Sequence, residues 1–488
     1  MKELQLIEIL KTFDKEELKS LKKFLKSPFV NSRRNLVILI DHLTFFHPEF
    51  DSPKLNREFV FKKIFENEEF NEKKIMNFVF DLTEAVKDFL MHISLEKDDI
   101  DADLYTSKGL FNKNILGLSN KILQKAESKL VPGFSTKKDF FTKKRKILSL
   151  KNAYHTANND VKGISENQNE LNELTAVQFL IEYTWMMCSN VTTTHTLYKK
   201  NNNSVIESIG ESIDIEKLLK LTDNFNEIYR SLIPLHIQII KTITEPENTK
   251  NYYLLKKIFY KNISYYDKEE KFHIFSHLIN YCGENIKNYD GEFSKEMLDV
   301  YKGMLKNNCY TILDKEFLSI LDYRNIMMLC RIHEDIKFFE FFLKEYIVLL
   351  EPDMQNEAGS LTKAQIFFMK NEFKKAHENI SKINNENYIF KIDIKNLKLK
   401  ICYELNYIEE AFLLVDSYNH FLTTSKEITE SRKKNNLNFL KAFNYLLQVK
   451  SGKTGDVFIK LKNEIDNLEN ISKKWFLLKV KELKNFEK

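Results

Sequence analysis

His273 and His277 stand four residues apart in KFHIFSHLI, one helical turn, so two imidazoles could share a metal ion. A zincin helix needs Glu directly after its first histidine, and Ile274 stands there. Spacing supplies no third ligand, although Cys282 lies close by in the chain. Histidines on a helix rich in Phe and Ile are more often solvated or core-satisfied, so neither is assigned to a metal.

Gly452-Lys453-Thr454 matches the end of the phosphate-binding loop G-x-x-x-x-G-K-[ST], but Leu447 occupies the place of its first glycine. The preceding Phe439–Val449 has a helical pattern where that loop requires a strand. Gly452 is therefore expected to end a helix. The segment 137–151 (KKDFFTKKRKILSLK) carries seven cations, Lys137, Lys138, Lys143, Lys144, Arg145, Lys146 and Lys151, against the single acid Asp139. With Phe140 and Phe141 interleaved, it could neutralise phosphates and stack on a base. The preferred alternative buries Phe140, Phe141, Ile147, Leu148 and Leu150 and leaves the lysines as a solvated face. The five cysteines, Cys188, Cys282, Cys309, Cys330 and Cys402, are odd in number, far apart and never form Cys-x-x-Cys. They read as small buried hydrophobes of a reducing compartment. No nucleophile elbow, dinucleotide loop or kinase catalytic loop occurs. No catalytic, cofactor-binding or metal-ligating residue is assigned, and no cofactor is expected.

Eleven glycines and seven prolines in 488 residues are roughly a third of the average share of about 12%. Tight hairpins need those residues, so sandwiches, barrels and propellers are disfavoured. With 43% hydrophobic and 30% charged residues, the chain can bury a core. An all-α protein is expected. Net charge is only +5, and just eight of the 75 basic residues are Arg. That lysine bias resembles an AT-rich coding background and weakens every lysine cluster as a signal. Met1–Leu10 carries Glu3 and Glu8 and lacks the character of a signal peptide. The most apolar stretch, Ala176–Cys188, is too short for a membrane span and contains Glu182. The expectation is a cytoplasmic protein without membrane insertion.

The N-terminal region reads as short helices with clear punctuation. Asp14, with Glu17 three residues on, starts a helix carrying Leu18, Leu21, Phe24 and Leu25, which Ser27-Pro28 stops. A second helix, Arg34–Phe46, ends at His47-Pro48, and Ser52-Pro53 is expected to start a third with Pro at its first position. Asn71 opens a longer helix whose stripe runs through Ile75, Phe78, Val79, Leu82, Val86, Phe89 and Leu90. Val131-Pro132-Gly133 is a break; Asn158–Asn172 is a polar loop candidate, and Thr192–Ser204 a linker. Later connections are expected at Pro246, at Tyr265-Tyr266-Asp267, at 288–291 (NYDG) and at Pro352.

A repeat marks the C-terminal third. Asn371-Glu-Phe373-Lys-Lys-Ala376 aligns with Asn406-Tyr-Ile408-Glu-Glu-Ala411 35 residues later, and Glu334 to Phe339 fits the same frame upstream. This resembles the tetratricopeptide repeat: a turn residue, an apolar residue two on, and a small residue three further, at a period near 34. Asn replaces Gly at the turn, and the Trp-Leu-Gly-Tyr signature is absent. Gly455-Asp456-Val457 would open a late hairpin helix, with Trp475, Leu477, Leu478 and Val480 on a capping helix. The phrases KFLKSPFVN (Lys23–Asn31), FHPEFDSPKLNREFVFKKIF (Phe46–Phe65) and LTEAVKDFL (Leu82–Leu90), followed by such a tail, resemble a family of uncharacterised bacterial proteins of the Bacteroidetes type. The resemblance implies a shared fold and no particular activity.

Three regions follow: a helical N-terminal module (1–103), a long-helix middle with its linker (104–204), and a tetratricopeptide-like α-solenoid of stacked helical hairpins (205–488). The expected function is a non-enzymatic interaction scaffold for an unknown protein or peptide. The alternatives are a nucleic-acid-associated regulatory role through 137–151, which is disfavoured, and a concealed metal-dependent enzyme around His273 and His277.

Overall fold

The structure, a computed structural model, describes residues 4–30, 36–66, 68–130, 138–197, 205–214, 217, 220, 225, 227–287, 291–312, 317–383, 389–425, 428–453, 455–468 and 472–486. Among these residues every regular element is helical, with no strand. They divide into two compact units, one of residues up to Thr175 and the other from Ala176 onward. No helix among them is long and apolar enough to cross a membrane.

In the first unit, Gln5–Thr12, Lys15–Leu25, Leu36–Thr44 and Arg57–Ile64 all pack on the long helix Glu72–Lys97. Its stripe Ile75, Phe78, Val79, Leu82, Val86 and Phe89 is buried as the periodicity required, while Leu90 is only partly covered. Each such side chain contributes about 1.5–3 kcal/mol by leaving water. Asp14 caps Lys15–Leu25 in a full capping box with Glu17. The expected start at Ser52-Pro53 is corrected. Ser52 instead begins a turn in which its carbonyl accepts from the Leu55 amide at 3.0 Å, and the helix starts at Arg57. Asn56 supplies the cap, its Oδ1 accepting from the Phe59 amide at 2.8 Å, an option the Ser-Pro signal concealed.

Asp99–Asn112 and Leu116–Lys129 approach closely through two serines. Ser107 and Ser119 exchange hydrogen bonds with one another's backbone carbonyls, at 3.2 and 3.0 Å. Lys138–Ala157 joins them over a small core of Leu104, Leu123, Ala126 and Ile147. The polar segment Asn158–Asn172 is not a loop beyond Asp160: the helix Val161–Leu197 runs through it. The Asp160 carboxylate accepts from the Gly163 amide at 2.9 Å, and Asn167 donates to the Leu148 carbonyl at 2.7 Å. Asp160 thus caps its own helix, while Asn167 faces the neighbouring helix Lys138–Ala157, which satisfies it. The linker expected over Thr192–Ser204 is corrected at its start, because 192–197 continue the helix Val161–Leu197; the break at 131–133 and residues 198–204 lie outside the described residues.

The second unit is a succession of helical hairpins sharing one continuous core from Leu235 to Ile401 and another from Leu399 to Val480. Helices end near Pro246, at Tyr265 and at Leu349, as the punctuation required, and Asp267 opens Lys268–Glu284 with a capping box. Of NYDG only Gly291 is described, and it precedes Glu292–Lys306. The repeat turn has a physical identity. Glu334, Asn371 and Asn406 all take positive φ, 52°, 61° and 61°. Asn114, Asn159, Asn308 and Gly452 do the same at other helix ends. At each, the next amide donates to the carbonyl five residues back, at 2.8–3.1 Å, which closes the helix in a Schellman motif. Asn serves because its short polar side chain tolerates the left-handed region. Phe339, Ala376 and Ala411, aligned in the sequence, are all fully buried. Pro352–Met369 packs against its neighbours and also against Ile320–Ile332 and Lys391–Glu404, two helices away on either side. In the last helix, Lys473–Phe486, Phe476 and Val480 are the buried pair, one turn apart. Leu477 and Leu478, expected to pack, are half-exposed on the opposite side.

Candidate functional site

His273 and His277 both line a cavity of about 720 Å³ with Trp185, Cys188, Thr242 and Phe272. The Thr242 hydroxyl donates to the Ile239 carbonyl at 2.6 Å, so it accepts at 2.7 Å from His277 Nε2–H. Nδ1 of that neutral ring then faces the Cys188 thiol at 3.6 Å. Burial pushes His277 down to about 4 and the Cys188 thiol up to about 12. A nucleophilic pair needs the opposite shifts, a depressed thiol and a raised imidazole. The proton therefore stays on sulfur, and this contact is a satisfied core arrangement. His273 lies against the Trp185 ring, centroids 5.2 Å apart, with Glu269 at 3.8 Å. Cys282 turns elsewhere, its Sγ 3.2 Å from the Tyr252 hydroxyl. Among the described residues no group of three His, Cys, Asp or Glu side chains could hold a metal ion.

The cationic helix Lys138–Ala157 behaves differently from both expectations. Lys143 is buried between Asp98 at 2.5 Å and Asp139 at 2.7 Å. Lys144 reaches Glu127 and Glu170, each at 2.8 Å; Lys146 pairs with Asp101 at 3.2 Å, and Lys151 with Glu127. Burial pulls the Lys143 ammonium down, but hydrogen bonds to Asp139 and Asp98 outweigh it and hold it above the ordinary lysine value. Phe141, Ile147 and Leu148 are buried as expected, whereas Phe140 and Leu150 are only partly buried. Lys143, Lys144 and Lys151 are thus not a solvated face but the cationic half of a largely buried ion-pair layer, with the half-exposed Lys146 at its edge. Lys137 lies outside the described residues.

All five cysteines are free. Cys188 is half-buried and the other four are buried. Burial pushes Cys282, Cys330 and Cys402 up to about 12 and raises Cys309. Gly452 adopts φ 92° just after the helix Glu430–Lys450, so the Gly-Lys-Thr segment begins as a helix-ending turn, with Thr454 outside the described residues.

A second recess, about 490 Å³, gathers residues that no motif singled out. Arg324 and Arg331 come from Ile320–Ile332, Gln365 from Pro352–Met369, Asp393, Asn396 and Lys400 from Lys391–Glu404, Arg432 from Glu430–Lys450, and Trp475 from Lys473–Phe486. Three of the eight arginines of the chain meet here. Arg324 binds Asp393 with two parallel bonds, Nε to Oδ2 at 2.5 Å and Nη2 to Oδ1 at 3.2 Å. The Lys400 ammonium sits over the Trp475 ring, 5.3 Å from its centroid. Burial, then the neighbouring Arg331 guanidinium, push Lys400 down to about 7 against the pull of Glu404. Arg331 is likewise lowered by burial. The scarcity of arginine was the one available signal, because lysine cannot supply the planar fork with which Arg324 holds Asp393.

No family model, curated protein or solved structure matches the chain.

Proposed function

We propose that the protein is a non-enzymatic interaction scaffold of the cytoplasm, a tetratricopeptide-like solenoid whose recessed face receives a segment of a partner protein or peptide. One observation carries this reading: alternate helices from Ile320–Ile332 to Lys473–Phe486 contribute to a single recess, while the helices between them add only Ile336, at the very start of Ile336–Tyr346. Stacked hairpins present such a surface because the first helix of each pair faces the same way. Around the charged centre lie Met328, Phe368, Met369 and Leu478, apolar groups suited to anchoring side chains of a bound segment. Lys143, Lys144, Lys146 and Lys151 of Lys138–Ala157 are already committed to carboxylates, which favours the recess as the binding surface.

Affinity purification of the full chain from its native cell tests this. A protein enriched stoichiometrically with the parent and lost with Leu478→Lys is expected, since Leu478 is 52% exposed and its substitution spares the core. Enrichment of no protein over a control bait, or equal enrichment by the variant, would overturn it.

A further inference from the structure

We propose that the recess on the alternate helices is a binding site for a dianionic oxyanion, a phosphate monoester, held by Arg331, Lys400 and Arg432. The charge tally leads there. Asp393 is occupied by Arg324 through both oxygens. Glu334 is paired with Lys474. Glu404, one turn after Lys400, is engaged by the Lys479 ammonium at 2.8 Å and by the Trp475 indole N–H at 2.9 Å. Among the described residues no carboxylate makes an ion pair with Arg331, Lys400 or Arg432; Asp393 and Glu404 act on them only from a distance, and both are engaged by other cations, so positive charge is in excess in the recess.

Cations crowded in a recess repel, and burying one unpaired is unfavourable. Lysine can escape by releasing its proton, and Lys400 is already pushed towards that point; arginine has no accessible neutral form. The Arg331 Nε is sealed from solvent without a hydrogen-bond partner among the described residues. Two more groups on the same wall, Gln365 Oε1 and Asn396 Oδ1, are buried acceptors without a donor there. Of the chain's seven sealed, unpartnered side-chain atoms, counted over the described residues, three therefore line this recess. Folding alone gives such a cluster no reason to exist. An anion satisfies the Arg331 N–H, and the two amide oxygens are left for donors on the group that carries it.

A single carboxylate would balance one cation. A phosphate monoester carries a charge near −2 at neutral pH and three strong acceptor oxygens, matching a guanidinium, an ammonium and a second guanidinium. Hydroxyl or amide donors on the esterified group, which the dianionic phosphoryl itself lacks, can meet Gln365 and Asn396, and Trp475 offers an apolar wall. The site rests on the same recess as the scaffold reading, but it would stand whether the phosphate comes from a small metabolite or a phosphorylated side chain.

Calorimetric titration of the full chain with inorganic phosphate and with O-phosphoserine, against acetate and chloride at matched ionic strength, tests it. Saturable one-to-one binding of a phosphate, at least tenfold tighter than acetate, is expected. Tighter binding of phosphoserine would assign the ester, and equal binding the free ion. Arg432→Gln, at an exposed side chain that does not endanger folding, and Lys400→Met should each weaken binding tenfold or more, while Lys344→Gln, exposed and outside the recess, should leave it unchanged. Heat that follows ionic strength alone, or equal affinity in Arg432→Gln and the parent, would overturn the site. If phosphate fails to bind while a protein partner is still captured, the oxyanion site falls and the scaffold stands; phosphate binding without a captured protein removes the scaffold alone.

Discussion

Single residues decide how these helices end and how the core holds its protons. Asn371 and Asn406 sit at φ 61°, where an ordinary L-residue loses roughly 1–2 kcal/mol. Asn371→Ala should therefore cost about 1 kcal/mol in urea unfolding, and Asn371→Gly less than Asn371→Ala. The sequence aligned these turn positions but not their backbone, because Asn in a turn is compatible with several geometries. His277 makes a second prediction. Its folded value, about 4, lies below the unfolded one near 6.5, so the folded state binds the proton less well. The resulting stability is fully present above pH 6.5 and is lost as pH falls through about 4, amounting to roughly 3 kcal/mol. His277→Gln should flatten the stability profile of the second unit between pH 6.5 and 4. An unchanged slope in denaturation across that range would refute the assignment. The histidine pair was legible as a spacing, but its partners Thr242 and Cys188 lie 35 and 89 residues away and no pattern announces them.

At the scale of elements, caps and ion pairs carry different weights. Asp267 and Glu270 form a reciprocal box at the head of Lys268–Glu284, and Asp267→Ala should cost about 1 kcal/mol. The layer around Lys138–Ala157 is worth more where it is buried. Lys143→Met strands Asp98 and Asp139, and because Asp98 is one-third exposed the cost is set at about 2 kcal/mol rather than the larger value for a sealed pair. Faster amide exchange localised to 98–157 is the measurement, and exchange unchanged there would count against an internal role for the layer. Helix existence was readable wherever one apolar stripe met one clear cap, as at Asp14 and Asn71. It failed where two start signals competed, at Ser52-Pro53 and Asn56, and where polar residues served a neighbouring helix, as Asn167 does. Local pattern cannot distinguish a side chain that meets water from one that meets another helix's backbone.

For the molecule as a whole, the all-α class followed from the shortage of glycine and proline, since few residues could turn a hairpin. The recess did not follow, because Arg324 and Trp475 are separated by 151 positions and meet only through hairpin stacking. The buried sulfur has a practical corollary. With four thiols enclosed, Cys188 half-enclosed and the thiolate form suppressed, maleimide or disulfide reagents should modify the native chain slowly at neutral pH. A cysteine placed at an exposed position such as Lys344 should then take up a fluorophore alone, without prior removal of the five natural ones. The wild-type background is thereby already suited to distance measurement by site-specific labelling.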